Sequence, residues 1–79
     1  MPRYFLNLTD GHNSTIDEVG ENYASLAAAE LEAIRTLSDV VRDEMSSRKV
    51  GTISVQLVNE DVQTVLTATL DFSIVRTSS

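Results

Sequence analysis

The sequence contains no cysteine and only one histidine, one proline and three glycines. The absence of cysteine excludes disulfides, thiolate catalysis and cysteine metal sites, and it favours a reducing cytoplasm. No apolar run approaches the roughly 20 residues of a membrane span, and no secretory signal follows the opening residues. We therefore expect a cytoplasmic protein without a membrane segment.

Basic residues are also scarce, since six Lys and Arg stand against twelve Asp and Glu and give a net charge of −6. Phosphate-backbone binding depends on clustered Lys and Arg, so this balance argues against nucleic acid as a partner. Residues 4–34 contain six acidic residues and no basic one, whereas the rest of the chain contains six of each. This acidic half either attracts a basic partner through its field or only aids solubility.

The length of 79 residues predicts a single domain, residues 1–79, in which residues 76–79 form a tail. Residues 3–9 alternate as a first strand and stop at Asp10-Gly11, a strong turn dipeptide. A short second strand is predicted at residues 15–17, before Gly20.

A helix is predicted near residues 25–48, with Ser25 as its N-cap and Gly51 as the residue that closes it. Several alanines keep its first turns slim, so that the backbone can lie close to a sheet. Apolar residues at spacings of three and four predict one buried stripe. The members of this stripe are Ala27, Leu31, Ile34, Leu37, Val41 and Met45.

Residues 52–58 alternate again, residues 59–61 form a turn, and a longer alternating run follows to residue 74. The two runs predict a hairpin whose second strand extends beyond its partner. Such an overhanging edge predicts a homodimer through residues 70–76, and the alternative is a frayed tail. The order β-β-α-β-β predicts an α+β two-layer sandwich, with one helix on a mostly antiparallel sheet of three or four strands.

The polar loop around His12 is the first candidate for chemistry. His12 with Asp10, Asn13 and Asp17 resembles a cation loop only loosely, because the alternating oxygen ligands and closing Glu of an EF-hand are missing. A triad of His12, Ser14 and Asp17 would need a geometry that neighbours in one loop rarely achieve. A polar turn is the better interpretation, and we predict no catalytic, metal or cofactor residue.

Pro2 offers the one catalytic alternative with a chemical basis. If Met1 were removed, the proline amine could act as a general base, as in small tautomerases. Such a site needs arginines for an anionic substrate. Arg3 is expected to point away from its strand neighbour, and Arg35 and Arg42 fall on the charged face of the helix.

The opening Met1-Pro2-Arg3-Tyr4-Phe5-Leu6-Asn7-Leu8, with Asp10-Gly11, Asp17-Glu18 and Gly20 after it, resembles a family of small bacterial proteins known only as a domain of unknown function. Members open with a Pro-Arg-Tyr-Phe or Pro-Arg-Tyr-Tyr strand and continue with an Ala- and Glu-rich helix, matched here by residues 27–33. Their Val-x-Asp-Glu-x-Gly hairpin is matched in part by residues 58–61, and Val62 stands at the usual turn glycine. The resemblance implies the same fold order and a bacterial cytoplasm, and no activity.

We therefore predict a small non-enzymatic interaction or accessory domain that self-associates and binds a protein partner, a basic one if the acidic half attracts it by charge. The predicted surface joins the acidic N-terminal segment to an exposed strand face. Its residues are Asp10, Asp17, Glu18, Glu21, Thr67, Thr69 and Asp71. The alternatives are a proline-amine tautomerase and an antitoxin-like regulator.

Overall fold

The structure, a computed structural model, describes residues 2–11 and 13–78, which form one helix and five strands. In chain order these are β1 (Arg3–Asp10), β2 (Asn13–Thr15), β3 (Glu21–Asn22), α1 (Leu26–Met45), β4 (Val50–Val58) and β5 (Thr64–Ser73). The sheet is antiparallel with the order β2-β1-β4-β5, and β3 also pairs with β1. The predicted α+β fold is confirmed, and the added strand β3 brings the sheet to five.

The N-terminal strands follow the predicted order with one shift. β1 ends at the turn where Gly11 has a φ of 58°. β2 begins two residues earlier than predicted, because Asp10 pairs directly with Asn13 across a tight turn. The predicted strand residues Ile16 and Asp17 lie outside β2, and the Asp17 N–H donates to the Asn7 side chain (3.0 Å) instead of to a strand.

Side chains cap both ends of α1. The Ser25 hydroxyl accepts from the Ala28 N–H (3.1 Å), which confirms the predicted N-cap. The helix ends at Met45, three residues before the predicted end, where the Ser46 hydroxyl donates to Asp43 O (2.6 Å). Gly51 was predicted to close the helix, but it lies within β4.

The buried stripe of the helix matches the predicted one only in part. Ala29, Ala33, Leu37 and Val41 are buried, whereas Ala27, Leu31, Ile34 and Met45 are exposed. Leu37 and Val41 were predicted correctly, and the other four members of the stripe were wrong, because the buried face is rotated by roughly 100°, or one residue, towards the alanines. Small alanines let the backbone approach the sheet closely, as expected, and this approach orients the alanine face inward.

The core lies between α1 and the two strands β4 and β5. Ile53, Val55 and Leu57 of β4 are 0%, 0% and 1% exposed. Gly51 pairs with Phe72 across the hairpin, and a Cβ at Gly51 would lie 2.8 Å from the Phe72 ring. The glycine therefore makes room for the aromatic ring.

The C-terminal end of α1 is fastened to the sheet by Arg48. Its guanidinium forms an ion pair with Asp10 of β1, and its Nε lies 3.2 Å from Glu44 Oε2. The Arg48 Cζ also lies 5.6 Å from the centre of the Phe72 ring, within range of a cation–π interaction.

The hairpin has no overhang. β4 begins at Val50, earlier than predicted, and pairs with Ser73, while Val58 at its other end pairs with Thr64. The Ile74 N–H still donates to Lys49 O (2.6 Å), just beyond the strand. The predicted overhang was wrong because β4 is longer than its alternating pattern indicated.

Candidate functional site

The two faces of the sheet have different surroundings. α1 covers the face formed by Leu6, Leu8, Val55 and Ala68, which we call the covered face. Side chains alternate along a strand, so the intervening residues point to the other face, which we call the open face. No helix packs on the open face within the described ranges 2–11 and 13–78.

Much of the open face is a hydroxyl and amide surface. Thr9 of β1, Ser54 of β4 and Thr69 of β5 stand side by side in the register of the sheet. The hydroxyls of Ser54 and Thr69 lie 2.8 Å apart, and the Thr9 hydroxyl donates to Gln56 Oε1 (3.4 Å). Hydrogen bonds therefore connect neighbouring strands along this face.

The three predicted interaction residues of β5, Thr67, Thr69 and Asp71, lie on the open face and are exposed. Asp71 accepts a hydrogen bond from the Thr52 hydroxyl (2.7 Å), which fixes its carboxylate on the surface. Asp10 lies on the covered face, paired with Ile53 and bound to Arg48. The structure therefore does not bring Asp10 together with the other predicted residues.

The Asp17 carboxylate organises the loop before β3. Its oxygens accept from the backbone N–H groups of Gly20 (2.9 Å), Val19 (3.1 Å) and Leu6 (3.2 Å). The Gly20 bond lowers the pKa of Asp17 most strongly, and partial burial opposes it. The bonds from Leu6 and Val19 and the charge of Arg3 lower this pKa further. Asp17 is an ionised structural group.

The other acidic residues of this segment are more exposed. Glu18 is exposed in the loop, and Glu21 in β3 accepts from the Tyr23 hydroxyl (3.4 Å). Burial raises the pKa of Tyr23 most, and the charge of Glu21 raises it further. The ring of Tyr23 lies 6.2 Å from that of Tyr4 on β1. This aromatic pair connects β3 to the sheet.

A cavity of about 240 Å³ opens on the open face at one end of the sheet. Phe5 and Val58, which pair across β1 and β4, line it together with the exposed Ile16 and Val62. The polar lining residues are Asn7, Asp17, Asn59 and Glu60. Small-molecule sites usually measure about 300–1,000 Å³, so this cavity fits a single side chain better than a whole ligand.

Val62 lines this cavity in an unfavourable backbone conformation. Its φ is 60°, and it is 85% exposed. A β-branched residue with positive φ is a clear outlier, and the conformation costs about 1–2 kcal/mol. The Asn59 Oδ1 accepts from the N–H groups of Asp61 (3.0 Å) and Gln63 (2.9 Å) and holds the turn in place.

The two carboxylates of the cavity are already engaged. Asp17 accepts three backbone N–H groups, and Glu60 accepts from the Arg3 N–H (3.2 Å). A carboxylate that accepts several backbone N–H groups, as Asp17 does, is a weak base. Within the described ranges, no group of three His, Asp or Glu side chains is placed to hold a metal ion. His12, a member of both predicted loop sites, lies outside those ranges.

The residues of the tautomerase alternative have structural partners. The Pro2 carbonyl accepts from the Tyr23 N–H (2.9 Å), and the Arg3 guanidinium donates to Val19 O (2.5 Å). Arg35 and Arg42 form ion pairs with Glu32 and Asp39 along α1. Met1, whose removal that alternative requires, lies outside the described residues.

Sequence reasoning missed the cavity. Phe5 and Val58 were placed in strands, but their pairing on the open face was not foreseen. The available signal was Phe5 itself, an aromatic residue out of phase with the apolar alternation of Tyr4, Leu6 and Leu8. A large apolar side chain on the polar side of a strand indicates a contact outside the core.

The fold and this cavity define a small α+β domain with one covered and one open sheet face. The chain belongs to the family described as a domain of unknown function, DUF6894, whose pattern matches residues 3–71. This match confirms the predicted resemblance to a domain-of-unknown-function family. Comparison with curated proteins finds no match, and comparison with solved structures finds none. No helix in the described ranges is long and apolar enough to cross a membrane.

Proposed function

We propose that this domain is a non-enzymatic interaction module that binds a segment of another protein at the cavity on its open face. The observation that carries the proposal is the apolar cavity of Phe5, Val58, Ile16 and Val62, open to solvent and rimmed by polar residues. Exposed apolar patches with polar rims are typical of protein-binding sites.

The charge around the cavity defines the partner. Asp17 and Glu60 line it, and Glu18 and Asp61 follow them in the chain. Arg3 is the basic residue that bonds to both segments, through Val19 O and Glu60. An acidic surface around an apolar cavity complements a segment in which a large apolar residue is flanked by Lys or Arg.

We also propose that the domain self-associates, but through a different feature from the predicted overhang. The homodimer was expected through an overhang at residues 70–76, and the hairpin has none. β5 nevertheless forms the edge of the sheet along all of Thr64–Ser73. A strand edge of this length supports pairing with a second copy.

A displayed peptide library screened on the immobilised domain tests the cavity. We expect enrichment of peptides with a large apolar residue next to Lys or Arg, and their affinities follow from fluorescence polarisation. Ile16→Ser should raise the dissociation constant about tenfold, because the loss of one buried apolar side chain costs about 1.5 kcal/mol. The control Val19→Ser alters a residue that is 75% exposed and does not line the cavity, and it should leave the affinity unchanged.

A charge variant tests the choice of partner. Glu18→Lys reverses an exposed charge without removing a backbone contact, unlike any change at Asp17. We expect it to weaken binding of the enriched peptides about threefold to fivefold at low salt, and less at high salt. Enrichment of acidic peptides, or equal effects of Ile16→Ser and Val19→Ser, would overturn the proposed site.

A further inference from the structure

β5 presents a regular row of backbone groups at the edge of the sheet. Lys49 O accepts from the Ile74 N–H, and the register pairs Gly51 with Phe72 and Ile53 with Leu70. Hydrogen-bonded and non-hydrogen-bonded pairs alternate along an antiparallel ladder, so the even-numbered residues of β5 bond to β4. The odd-numbered residues from 67 to 73 therefore direct their N–H and C=O groups away from β4. No neighbouring strand meets them within the described residues.

One flank of α1 faces the same side of the molecule. Ala33 is 0% exposed and faces the sheet, and Glu32 and Ile34 lie about 100° away on either side of it. The charge of Glu32 acts on Tyr23, whose ring packs against Tyr4 of β1. Glu32 therefore faces the β1 side of the sheet, and Ile34 faces the β5 side.

This flank is apolar and uncovered. Ile34 is 51% exposed on this flank, and Leu31, which lies beside it towards the outer side of the helix, is 57% exposed. On the neighbouring strand, Leu70 is 37% exposed, although its cross-strand partner Ile53 is fully buried. We call these three apolar side chains, together with the backbone of residues 67–73, the edge surface.

The dimensions of the fold fit a second copy at the edge surface. α1 packs over both β4 and β5, and an axis midway between these two strands lies about half a strand spacing inside β5. A two-fold axis perpendicular to the sheet pairs the β5 strands antiparallel and keeps both helices on one face. With strands about 4.8 Å apart, the two helix axes then lie about 10 Å apart, close to the 8–10 Å of packed helices.

The charge distribution favours the same arrangement. The net charge comes from residues 4–34, which include β1, β2 and β3, and β4 separates these strands from β5. Residues 35–79 carry six acidic and five basic side chains. Pairing at β5 therefore places the strongly acidic parts of the two copies far from each other.

We infer that two copies of this chain form a dimer in which both layers continue across the interface, with β5 pairing to β5 and the Leu31 and Ile34 flanks of the helices packing together. This inference rests on the proposed self-association and adds the helix flank to it. Peptide binding at the cavity does not depend on it, because none of the residues that line the cavity belongs to the edge surface.

Sedimentation velocity of the full chain, from micromolar to millimolar concentration, tests the inference. In the dimer, Ile34→Glu places a charge on each of the two packed helix flanks. It should raise the dimer dissociation constant at least about tenfold. Val19→Glu makes the same charge change at an exposed apolar residue away from β5 and should leave the constant unchanged. Circular dichroism confirms that both variants fold.

A second pair of variants tests the strand. Thr67→Pro removes an N–H that points to the free edge, and proline is tolerated where a strand N–H faces solvent. It should abolish dimerisation, whereas Thr67→Ala, which keeps the N–H, should not. A dimer that Thr67→Pro dissociates and Ile34→Glu leaves intact would overturn the two-layer interface while sparing edge pairing. A wild-type monomer at every concentration would overturn both and leave the peptide-binding proposal standing.

Discussion

The covered and open faces of the sheet are built from the same strands but differ in almost every physical property. Along β4, Ile53, Val55 and Leu57 are buried beneath α1, while the residues between them are hydroxyl and amide side chains. The Phe5 and Val58 pair interrupts this polar surface and lines an apolar cavity. The difference shows that one face supplies most of the buried core and that the other is left uncovered by the helix.

Shortening one side chain on each face of the sheet should give the largest difference in stability between the two faces. Ile53→Ala should lower the free energy of unfolding by about 3–4 kcal/mol, because it opens a cavity in a fully buried site. Thr67→Ala on the open face should change it by less than about 0.5 kcal/mol. Urea unfolding of both variants provides the measurement. Equal losses would show that the open face also contributes to the core.

Substitution at the crowded site of Gly51 should have the next largest effect on stability. Gly51→Ala should lower the free energy of unfolding by about 2 kcal/mol, since its Cβ would meet the Phe72 ring at 2.8 Å. Gly11→Ala serves as the control, because a Cβ there has no neighbour within 4 Å and only the positive φ opposes it. We expect about 1 kcal/mol at Gly11. A larger loss of stability at Gly11 than at Gly51 would show that the Phe72 ring does not crowd position 51.

Asp17 tests whether the open face has a stabilising group of its own. Asp17→Asn should lower the free energy of unfolding at neutral pH by about 1–2 kcal/mol, because it weakens charged hydrogen bonds to the backbone. Glu18→Gln, at an exposed neighbour, should have almost no effect. Thermal unfolding of the two variants makes the comparison.

The pH dependence follows from the lowered pKa of Asp17. The folded pKa lies below the ordinary 3.8, so this contribution is fully present above about pH 4. It is lost as the pH falls through the folded value. Urea titrations at decreasing pH should therefore show a steeper acid loss for the wild type than for Asp17→Asn. Parallel curves would mean that the carboxylate does not hold the loop.

Val62 gives the smallest effect and the most informative one. Val62→Gly should raise the free energy of unfolding by about 1 kcal/mol, because glycine adopts a φ of 60° without strain. The same change removes one apolar wall of the cavity and should weaken peptide binding. Val19→Gly, at an exposed valine outside the positive-φ region, should bring no gain in stability. A Val62→Gly variant that binds peptides as well as the wild type would remove Val62 from the site.

Sequence reasoning reached the fold because the local signals agreed with one another. The Asp10-Gly11 turn, the Ser25 cap and the alternation in β4 each act within a few residues, and the structure has all three. Even Val62, which stands where the resemblance places a turn glycine, has a positive φ.

The errors came from effects that no short window contains. Leu31 and Ile34 are more hydrophobic than Ala29 and Ala33, yet the close approach to the sheet selected the alanines for burial. Packing distance decided the helix face, and hydrophobicity alone pointed elsewhere. The cavity was missed for a similar reason, since Phe5 and Val58 are far apart in sequence and meet only through strand register.

The position of β1 between β2 and β4 has a consequence for how the chain folds. Its main partner β4 begins about 40 residues further along, after the entire helix. At a synthesis rate of roughly 5–20 residues per second, β1 waits about 2–8 s on the ribosome before that partner emerges. The hairpin of β4 and β5 closes through local contacts and forms quickly. During that interval the apolar side of β1 is exposed to water or to chaperones.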